Sequence, residues 1–543
     1  MNSHPSALRD FTVDRRVWLL SAVAMVIGAG AAILAVLLLK LIALSTNIFY
    51  YHRLSFAAVG PAGSALGHWM PLVPIIGGLL VGLIARYGSD KIRGHGIPEA
   101  IEAILLRGAR IEPSIAILKP ISAAIAIGSG GPFGAEGPII MTGGAFGSLV
   151  AQWLKLTDAE RTTLLVAGAA AGMSATFAAP LASILLAVEL LLFEWRPRSL
   201  IPVAVASVMA SLLRVIWLGT GPLFAVSVPA TPLNGNFALG ALALGLIVGV
   251  AAAGLSRMMY GFEDLFERLP IHWMWWPALG GIGIGIGGIF FPRGLGVGYD
   301  NIAELLKGNA PMTLILGVLI AKSLMWAFSL GSGTSGGVLA PLLMIGGALG
   351  ELIAHVAHAS VQTQSLWALV GMGAMLAGSL GVPLTAIIFS LELTHSLPSL
   401  MPLMVACLAA YTVTSLIMPR SILTEKLSRR GFHLTREYGV DPLETVSVME
   451  IMSELPTQAA ISPDIKLPET YAFADETSRN VAEKMATSGL DALLVIDRDT
   501  KKILGTITAQ NLLLGRRRAV QRERDRERVF SGRRVNGSKP PIG

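Results

Sequence analysis

The sequence predicts an all-α polytopic membrane domain followed by a small soluble α/β module. Three observations carry this. The 543 residues are 53% hydrophobic and 14% charged, with a mean hydropathy of +0.64, whereas a soluble protein is about 25% charged. The apolar stretches are interrupted by many of the 60 Gly and 30 Pro. The apolar region also repeats itself. This composition argues against a large soluble enzyme and against disorder, which needs low hydrophobicity. In lipid, backbone polar groups are satisfied within helices or closed barrels. The single cysteine, Cys407, sits in an apolar run, so one chain cannot hold a disulfide framework.

Val17–Leu44 is long enough to cross a bilayer at a tilt, and too long for a signal peptide. Between it and Met418, the segments Pro74–Ile84, Ile115–Gly128, Ile282–Phe291 and Leu314–Leu330 fall short of a simple crossing. They are expected as half-helices whose broken ends line a polar cavity. Single glycines also let ordinary helices pack closely, but clusters such as Gly128-Ser-Gly-Gly-Pro exceed that need.

A shift of 203 residues lays Gly128–Ala151 on Gly331–Ala354 without a gap, and half the paired residues are identical. The same shift pairs Pro74 with Pro277, Lys119 with Lys322, Pro180 with Pro383, and Glu189 with Glu392. Compositional bias does not hold one register so long, so residues 74–190 and 277–393 read as a tandem duplication. The offset leaves open whether the copies are parallel or inverted. The membrane domain is assigned to residues 1–430.

After Arg420 the chain turns polar. Residues 431–470, with Pro442, Pro456, Pro463 and Pro468, read as a linker, and 471–515 as the soluble module. In the module, Ser478–Ser488 is expected as a helix, Ala492–Ile496 and Ile503–Thr508 as strands around a turn, and Ala509–Leu514 as a short helix. So small a unit is marginal alone and is expected to need a partner surface. The net charge of +7 resides in the tail 516–543, which is expected to be disordered. Lacking interleaved aromatics beyond Phe530, the tail reads as lipid-facing, not as a nucleic-acid binder. Its charge, with Arg15 and Arg16, places both termini in the cytoplasm.

Each repeat sets a Gly-rich loop before an apolar helix, at Gly128–Pro138 and Gly331–Pro341. Glycine lets backbone N–H groups approach a ligand, and a helix N-terminus carries about half a positive charge. Together they form an anion site without a full cation, which a conduction path requires if the ion is to leave. Phosphate binding is the rival use, but Gly134-Ala-Glu-Gly-Pro lacks the Gly-Lys-Ser/Thr ending. Glu136 lies within the first loop, while Leu339 holds the matching position of the second. An ionisable group at membrane depth is a functional candidate. As a carboxylate it can occupy the anion site, and when protonated or displaced it leaves that site open. Stabilisation of the helix N-terminus is its plainer role. Glu189 and Glu392, being duplicated, are expected to be structural, by capping or pairing. Lys119 and Lys322 could supply positive potential or serve as buried partners.

Gly94-His-Gly-Ile-Pro, Gly134-Ala-Glu-Gly-Pro and Gly337-Val-Leu-Ala-Pro, in that order, resemble the three signature loops of the ClC chloride channel and transporter family. The resemblance spans about Val17 to Gly431, with Ser421–Gly431 resembling the family's last membrane helix. It implies a ClC-type inverted-repeat fold of many tilted, broken helices in the inner membrane. It also implies a homodimer with one chloride-selective pore per subunit. Position by position, Glu136 resembles the external gating glutamate, and the N–H groups of Val338 and Leu339 resemble donors to the central anion. Gly96 and Gly134 belong to the anion-binding loops. His95 stands where a serine hydroxyl is usual, Leu423 where a tyrosine is usual, and Leu339 replaces a phenylalanine. The imidazole could donate to chloride or turn away onto neighbouring backbone.

Proton-coupled members of the family typically carry an internal glutamate directly after the position of Glu189, where this chain has Leu190. The expectation is therefore a passive, voltage- or pH-gated chloride channel. Proton-coupled chloride exchange is the alternative, and a non-conducting membrane sensor the remote one. The module resembles a cystathionine-β-synthase (CBS) repeat through Gly505-Thr-Ile-Thr-Ala-Gln-Asn. Asn511 replaces the aspartate that usually holds a ribose, which argues against nucleotide binding, and Val446–Met452 is read as a remnant of a first copy. Chloride is the expected transported ligand and no cofactor is expected. An enzyme is disfavoured because no nucleophile–base pair or metal-ligand cluster stands out among nine His and one Cys.

Overall fold

The computed structural model describes residues 15–154, 156–192, 194–226, 235–431, 443, 446–454, 470–500 and 502–528, with backbone alone at 235–236, 454 and 519–528. It divides into two units, Met1–Leu434 and Thr435–Gly543.

The first unit is helical. Its first half comprises α1 (Arg16–Tyr51), α2 (Leu72–Tyr87), α3 (Ile97–Leu106), α4 (Pro113–Gly128), α5 (Glu136–Trp153), α6 (Asp158–Phe177), α7 (Pro180–Leu186, continued by a π turn to Leu192) and α8 (Pro197–Leu218). The long α9 (Gly235–Glu267) leads to α10 (Trp276–Phe290), α11 (Tyr299–Leu306), α12 (Met312–Leu316), a π turn at Gly317–Lys322 and α13 (Ser323–Gly331). The second half ends with α14 (Leu339–Val356), α15 (Val361–Leu380), α16 (Pro383–Thr394), α17 (Leu400–Ile417) and α18 (Ile422–Arg429).

Local chemistry sets several boundaries. Thr157 and Glu160 form a reciprocal capping box at the start of α6, and Ser360 accepts from the Thr363 N–H at the start of α15. At the far end of α15 the chain reverses through Gly381 at φ +71°. Among the described residues, eight helical stretches are long and apolar enough to cross a membrane. Outward-facing side chains such as Trp18, Leu212 and Ile289 are exposed and apolar, as a lipid-facing surface requires.

The short-helix expectation holds for part of the set. Pro113–Gly128 stays short, and so do Pro180–Leu192 and Pro383–Thr394, which the sequence did not single out. Three others lengthen: Gly67–Tyr87, Trp273–Phe290 and Met312–Gly331 reach 21, 18 and 20 residues. In the first two a 3₁₀ turn precedes the apolar run, and in the third a π turn fuses two helices across Lys322.

The duplication is visible in the packing. A β-carbon on Gly143 would strike the Gly168 carbonyl oxygen, and one on the equivalent Gly346 would strike that of Gly371. Close approach therefore fixes both the α5–α6 and the α14–α15 pair. The halves meet at one antiparallel bridge. The Gly134 N–H donates to the Gly337 carbonyl at 3.2 Å, and the Gly337 N–H returns to the Gly134 carbonyl at 2.8 Å. Equivalent residues that exchange both bonds are what a local two-fold relation produces.

The second unit carries a four-stranded sheet ordered β1 (Ser453–Glu454), β4 (Ile503–Thr508), β3 (Ala492–Ile496), β2 (Ala472–Phe473). β2 and β3 run parallel and are joined by α20 (Ser478–Ser488), whereas the other pairs are antiparallel. The turn between β3 and β4 closes on Asp497 Oδ1, which accepts from the Asp499 and Thr500 N–H groups.

Two boundaries differ from expectation. Val446, Val448 and Ile451, in and beside α19 (Val448–Ile451), are buried in the module core with Val481, Leu493, Val495 and Ile507. The stretch 446–454 is thus part of the module and not of the linker at 431–470. Most of that linker lies outside the described residues. At the other end α21 spans Ala509–Arg528, so the described part of the tail is helical where disorder was expected. Residues 529–543 of the tail lie outside the described residues.

Candidate functional site

Three loops far apart in sequence are stitched together. Gly94 donates to the Gly333 carbonyl at 3.2 Å and accepts from the Gly336 N–H at 3.4 Å. Gly134 and Gly337 form the bridge described above. A β-carbon on Gly137 would overlap the His95 carbonyl oxygen, so the loop before α3 lies directly against the start of α5. The structure therefore joins Gly94–Gly96, Gly134–Gly137 and Gly336–Leu339 at the N-termini of α3, α5 and α14. Gly96 precedes α3 at φ +87°, a conformation that an L side chain rarely adopts.

Glu136 is the first residue of α5 and is fully buried. Its carboxylate lies near its own backbone N–H and that of Ala340, one from each repeat, and Oε2 has no hydrogen-bond partner within the protein. The Tyr299 hydroxyl donates to Glu136 Oε1 at 3.4 Å. Two helix N-termini, each with its partial positive charge, thus converge on one carboxylate. The carboxylate occupies the position that the N–H groups could offer to an anion. Moving it away, or neutralising it, frees those donors.

The other sequence-derived residues are buried as well. Val338 caps α14 and Leu339 begins it, both buried. His95 is 2% exposed, and neither ring nitrogen has a hydrogen-bond partner within the protein. Its imidazole is not turned onto neighbouring backbone. Leu423 is fully buried on α18, which the Tyr260 hydroxyl ties down by donating to the Ile422 carbonyl at 2.5 Å. Leu423 brings an apolar wall and no donor. Leu190 is fully buried among apolar neighbours in the π turn after α7.

The duplicated lysines both hold loops. Lys119 Nζ donates to the Ile92 and Gly94 carbonyls at 2.7 Å each. Lys322 Nζ donates to the Gly296 and Val297 carbonyls at 2.9 and 3.1 Å. Each lysine thus anchors a Gly-x-Gly turn that opens a short helix, Gly94-His-Gly before α3 and Gly296-Val-Gly before α11. The second turn was missed in the sequence because it aligns with the first at a shift one residue shorter than the rest of the duplication. Tyr299, which follows it, was missed for the same reason.

On the Glu99 side of the loops lies a cavity of about 570 Å³, whose lining includes Arg93, Glu99, Glu102, Glu263, Lys426 and Arg430. Glu99 pairs with Lys426 at 3.0 Å and Arg430 at 3.3 Å, and Arg430 also pairs with Glu102. The Arg93 guanidinium lies over the rings of Trp273 and Trp276 at 4.7 and 5.4 Å. These charges were not anticipated, since their partners lie hundreds of residues apart.

Comparison with known proteins accords with this geometry. Residues 77–415 match the family model described as voltage gated chloride channel. The H(+)/Cl(-) exchange transporter ClcA of Citrobacter koseri is 32% identical over 397 residues, covering 69% of this chain and 81% of the relative. The putative chloride channel protein ClcB-like of Ralstonia nicotianae is 31% identical over 374 residues, covering 67% and 87%. A slow cyanobacterial Cl-/H+ antiporter of known structure has the same fold. It aligns at a TM-score of 0.65 and 24% identity, over 77% of this chain and 99% of that one.

Proposed function

Because this chain belongs to the voltage-gated chloride channel (ClC) family, whose members are transporters or channels and not enzymes, we propose that it moves chloride across the bacterial inner membrane in exchange for protons. The observation that carries this is the Glu136 carboxylate at the meeting point of the α5 and α14 N-termini. A group that competes with the anion as a carboxylate, and withdraws once protonated, links anion passage to proton binding at one position. The relative from Citrobacter koseri, named an exchange transporter, supports exchange over the passive channel expected from sequence.

Channel behaviour is the second reading, and Leu190 favours it. That side chain cannot carry a proton, so exchange needs another route from the Glu99 side, such as water or His95. We further propose a homodimer with one pathway per subunit and with both termini cytoplasmic. In this arrangement Glu136 faces outward and the Glu99 cavity inward. The α/β unit is proposed to be a CBS-like module that pairs between subunits.

The test is reconstitution of the purified chain in liposomes under a chloride gradient, with chloride efflux and external pH recorded together. With the voltage clamped by potassium and valinomycin, protons driven uphill in fixed proportion to chloride establish exchange. Chloride efflux without driven protons establishes a channel. Absence of anion flux leaves the sensor.

A further inference from the structure

We propose that Tyr299 is the positioning residue that latches the Glu136 carboxylate across the anion path, so that breaking this one hydrogen bond is part of opening. The proposal rests on the reading of Glu136 as the gate.

Among the described residues, Tyr299 makes the only side-chain hydrogen bond to Glu136. Its ring is held from two directions. Phe177 at the end of α6 meets it edge-on at 6.5 Å, and Phe224 at 6.2 Å. Phe389 of α16 backs Phe177 at 5.1 Å, and the Phe224 N–H is tied to the Leu393 carbonyl. The backbone that presents the ring is equally fixed. The Gly296 N–H donates to the Gly130 carbonyl at 2.9 Å, while Lys322 holds the carbonyls of Gly296 and Val297. Gly298 has φ +81°, and a β-carbon there would come within 3.0 Å of Lys322 Nζ, so this turn cannot readily be rebuilt around another residue. The phenol therefore has little freedom except rotation of its O–H.

The duplication supplies a control inside the molecule. The positions equivalent to Glu136 and Tyr299 are Leu339 and Ile97, each the first residue of its helix. Both are buried and neither has a polar side-chain atom. A carboxylate and its donor therefore occur together on one side of the two-fold and are both missing from the other. A donor retained merely to support the turn would have no reason to appear only opposite the carboxylate.

A phenol donating to the carboxylate favours the ionised, latched form over the carboxylic acid. The charged side chain that acts on Glu136 is Lys322, on the π turn before α13, while His95, on the loop before α3, and Lys119, on α4, belong to the repeat opposite Lys322. Removing the hydroxyl leaves them in place.

The experiment is chloride efflux as a function of pH from liposomes containing the full-length chain, for Tyr299→Phe in the native and the Glu136→Gln backgrounds. Tyr299→Phe should raise efflux several-fold at neutral pH. It should also move the midpoint of the pH profile upward by about half to one unit, the shift expected for one lost hydrogen bond. In the Glu136→Gln background the same change should alter efflux less than about twofold, within the spread of a packing-neutral substitution. An unmoved profile, or an equal effect in both backgrounds, overturns the latch. A Glu136→Gln profile identical to native would instead overturn the gate reading itself. Should Tyr299→Phe not fold, a ring-fluorinated tyrosine at position 299 is a stronger donor of nearly the same shape. It should move the midpoint downward, and an unmoved midpoint overturns the latch.

Discussion

Glu189 and Glu392 cap each other's neighbouring helix across the two repeats. Glu189 accepts from the Leu384 and Thr385 N–H groups at 3.2 and 2.8 Å, at the start of α16. Glu392, on α16, accepts from the Leu181 and Ala182 N–H groups at 3.0 and 2.8 Å, at the start of α7. Both helices begin with proline, and their remaining first-turn N–H groups have no partner within their own helix. Each carboxylate also meets the positive end of the helix dipole.

These caps are structural, so Glu189→Ala and Glu392→Ala should each lower stability by about 1–2 kcal/mol. Thermal unfolding of the detergent-solubilised protein would show the loss, and the two variants should be similar. Glu189→Gln keeps one acceptor oxygen and should lose less while retaining chloride efflux. An efflux defect in Glu189→Gln without loss of stability would move this residue from scaffold to pathway.

Much of this was legible in the sequence, and particular residues explain the remainder. The three loops are contiguous motifs, and Glu136 stands out as a charge in an apolar run with leucine at its equivalent position. The duplicate placement of Glu189 and Glu392 announced a structural role, which the caps fulfil. Their partners did not show, because each bond links residues of different repeats, about as far apart as the duplication itself. Tyr299 was hidden by a one-residue change of register between the two Gly-x-Gly turns. The helical start of the tail was hidden because a run of charges reads as solvated whether it is coiled or helical.

Glu136→Gln removes the charge but keeps the shape. The amide cannot change protonation, so chloride efflux should lose its dependence on pH and remain at the level native protein shows in acid. Any proton movement driven by chloride should vanish with it. Parallel chloride and pH recordings from one liposome preparation test both statements. Persistent proton coupling in this variant would place the exchanging group elsewhere.

Gly337→Ala tests the contact between the repeats. A β-carbon there would sit 2.6 Å from the Gly134 carbonyl oxygen and 2.7 Å from Glu136 Oε2, closer than real β-carbons approach. The Gly134 carbonyl is held by the reciprocal bridge, whereas Glu136 Oε2 has no hydrogen-bond partner within the protein. The bridge must open or the carboxylate must leave. Efflux should fall at least tenfold if the bridge yields, with a loss of about 1–3 kcal/mol in stability typical of overpacking. If the carboxylate yields, efflux should rise and become insensitive to Glu136→Gln. An alanine variant indistinguishable from native would contradict the tight bridge.

His95 and Leu423 together set the donor inventory beside the loops. The buried imidazole has both nitrogens unsatisfied within the protein, so an anion in reach of it would gain a donor that no protein atom competes for. His95→Ala should therefore weaken chloride binding several-fold, corresponding to about 1 kcal/mol for one hydrogen bond. Isothermal titration of the purified protein with chloride reads this directly. Leu423→Tyr adds a hydroxyl to the apolar wall of α18 and should tighten binding in the native protein, and more so in His95→Ala. If His95→Ala leaves chloride affinity unchanged, the imidazole does not meet the anion. If Leu423→Tyr is also silent, the anion does not pass this wall, and its donors are the loop N–H groups alone.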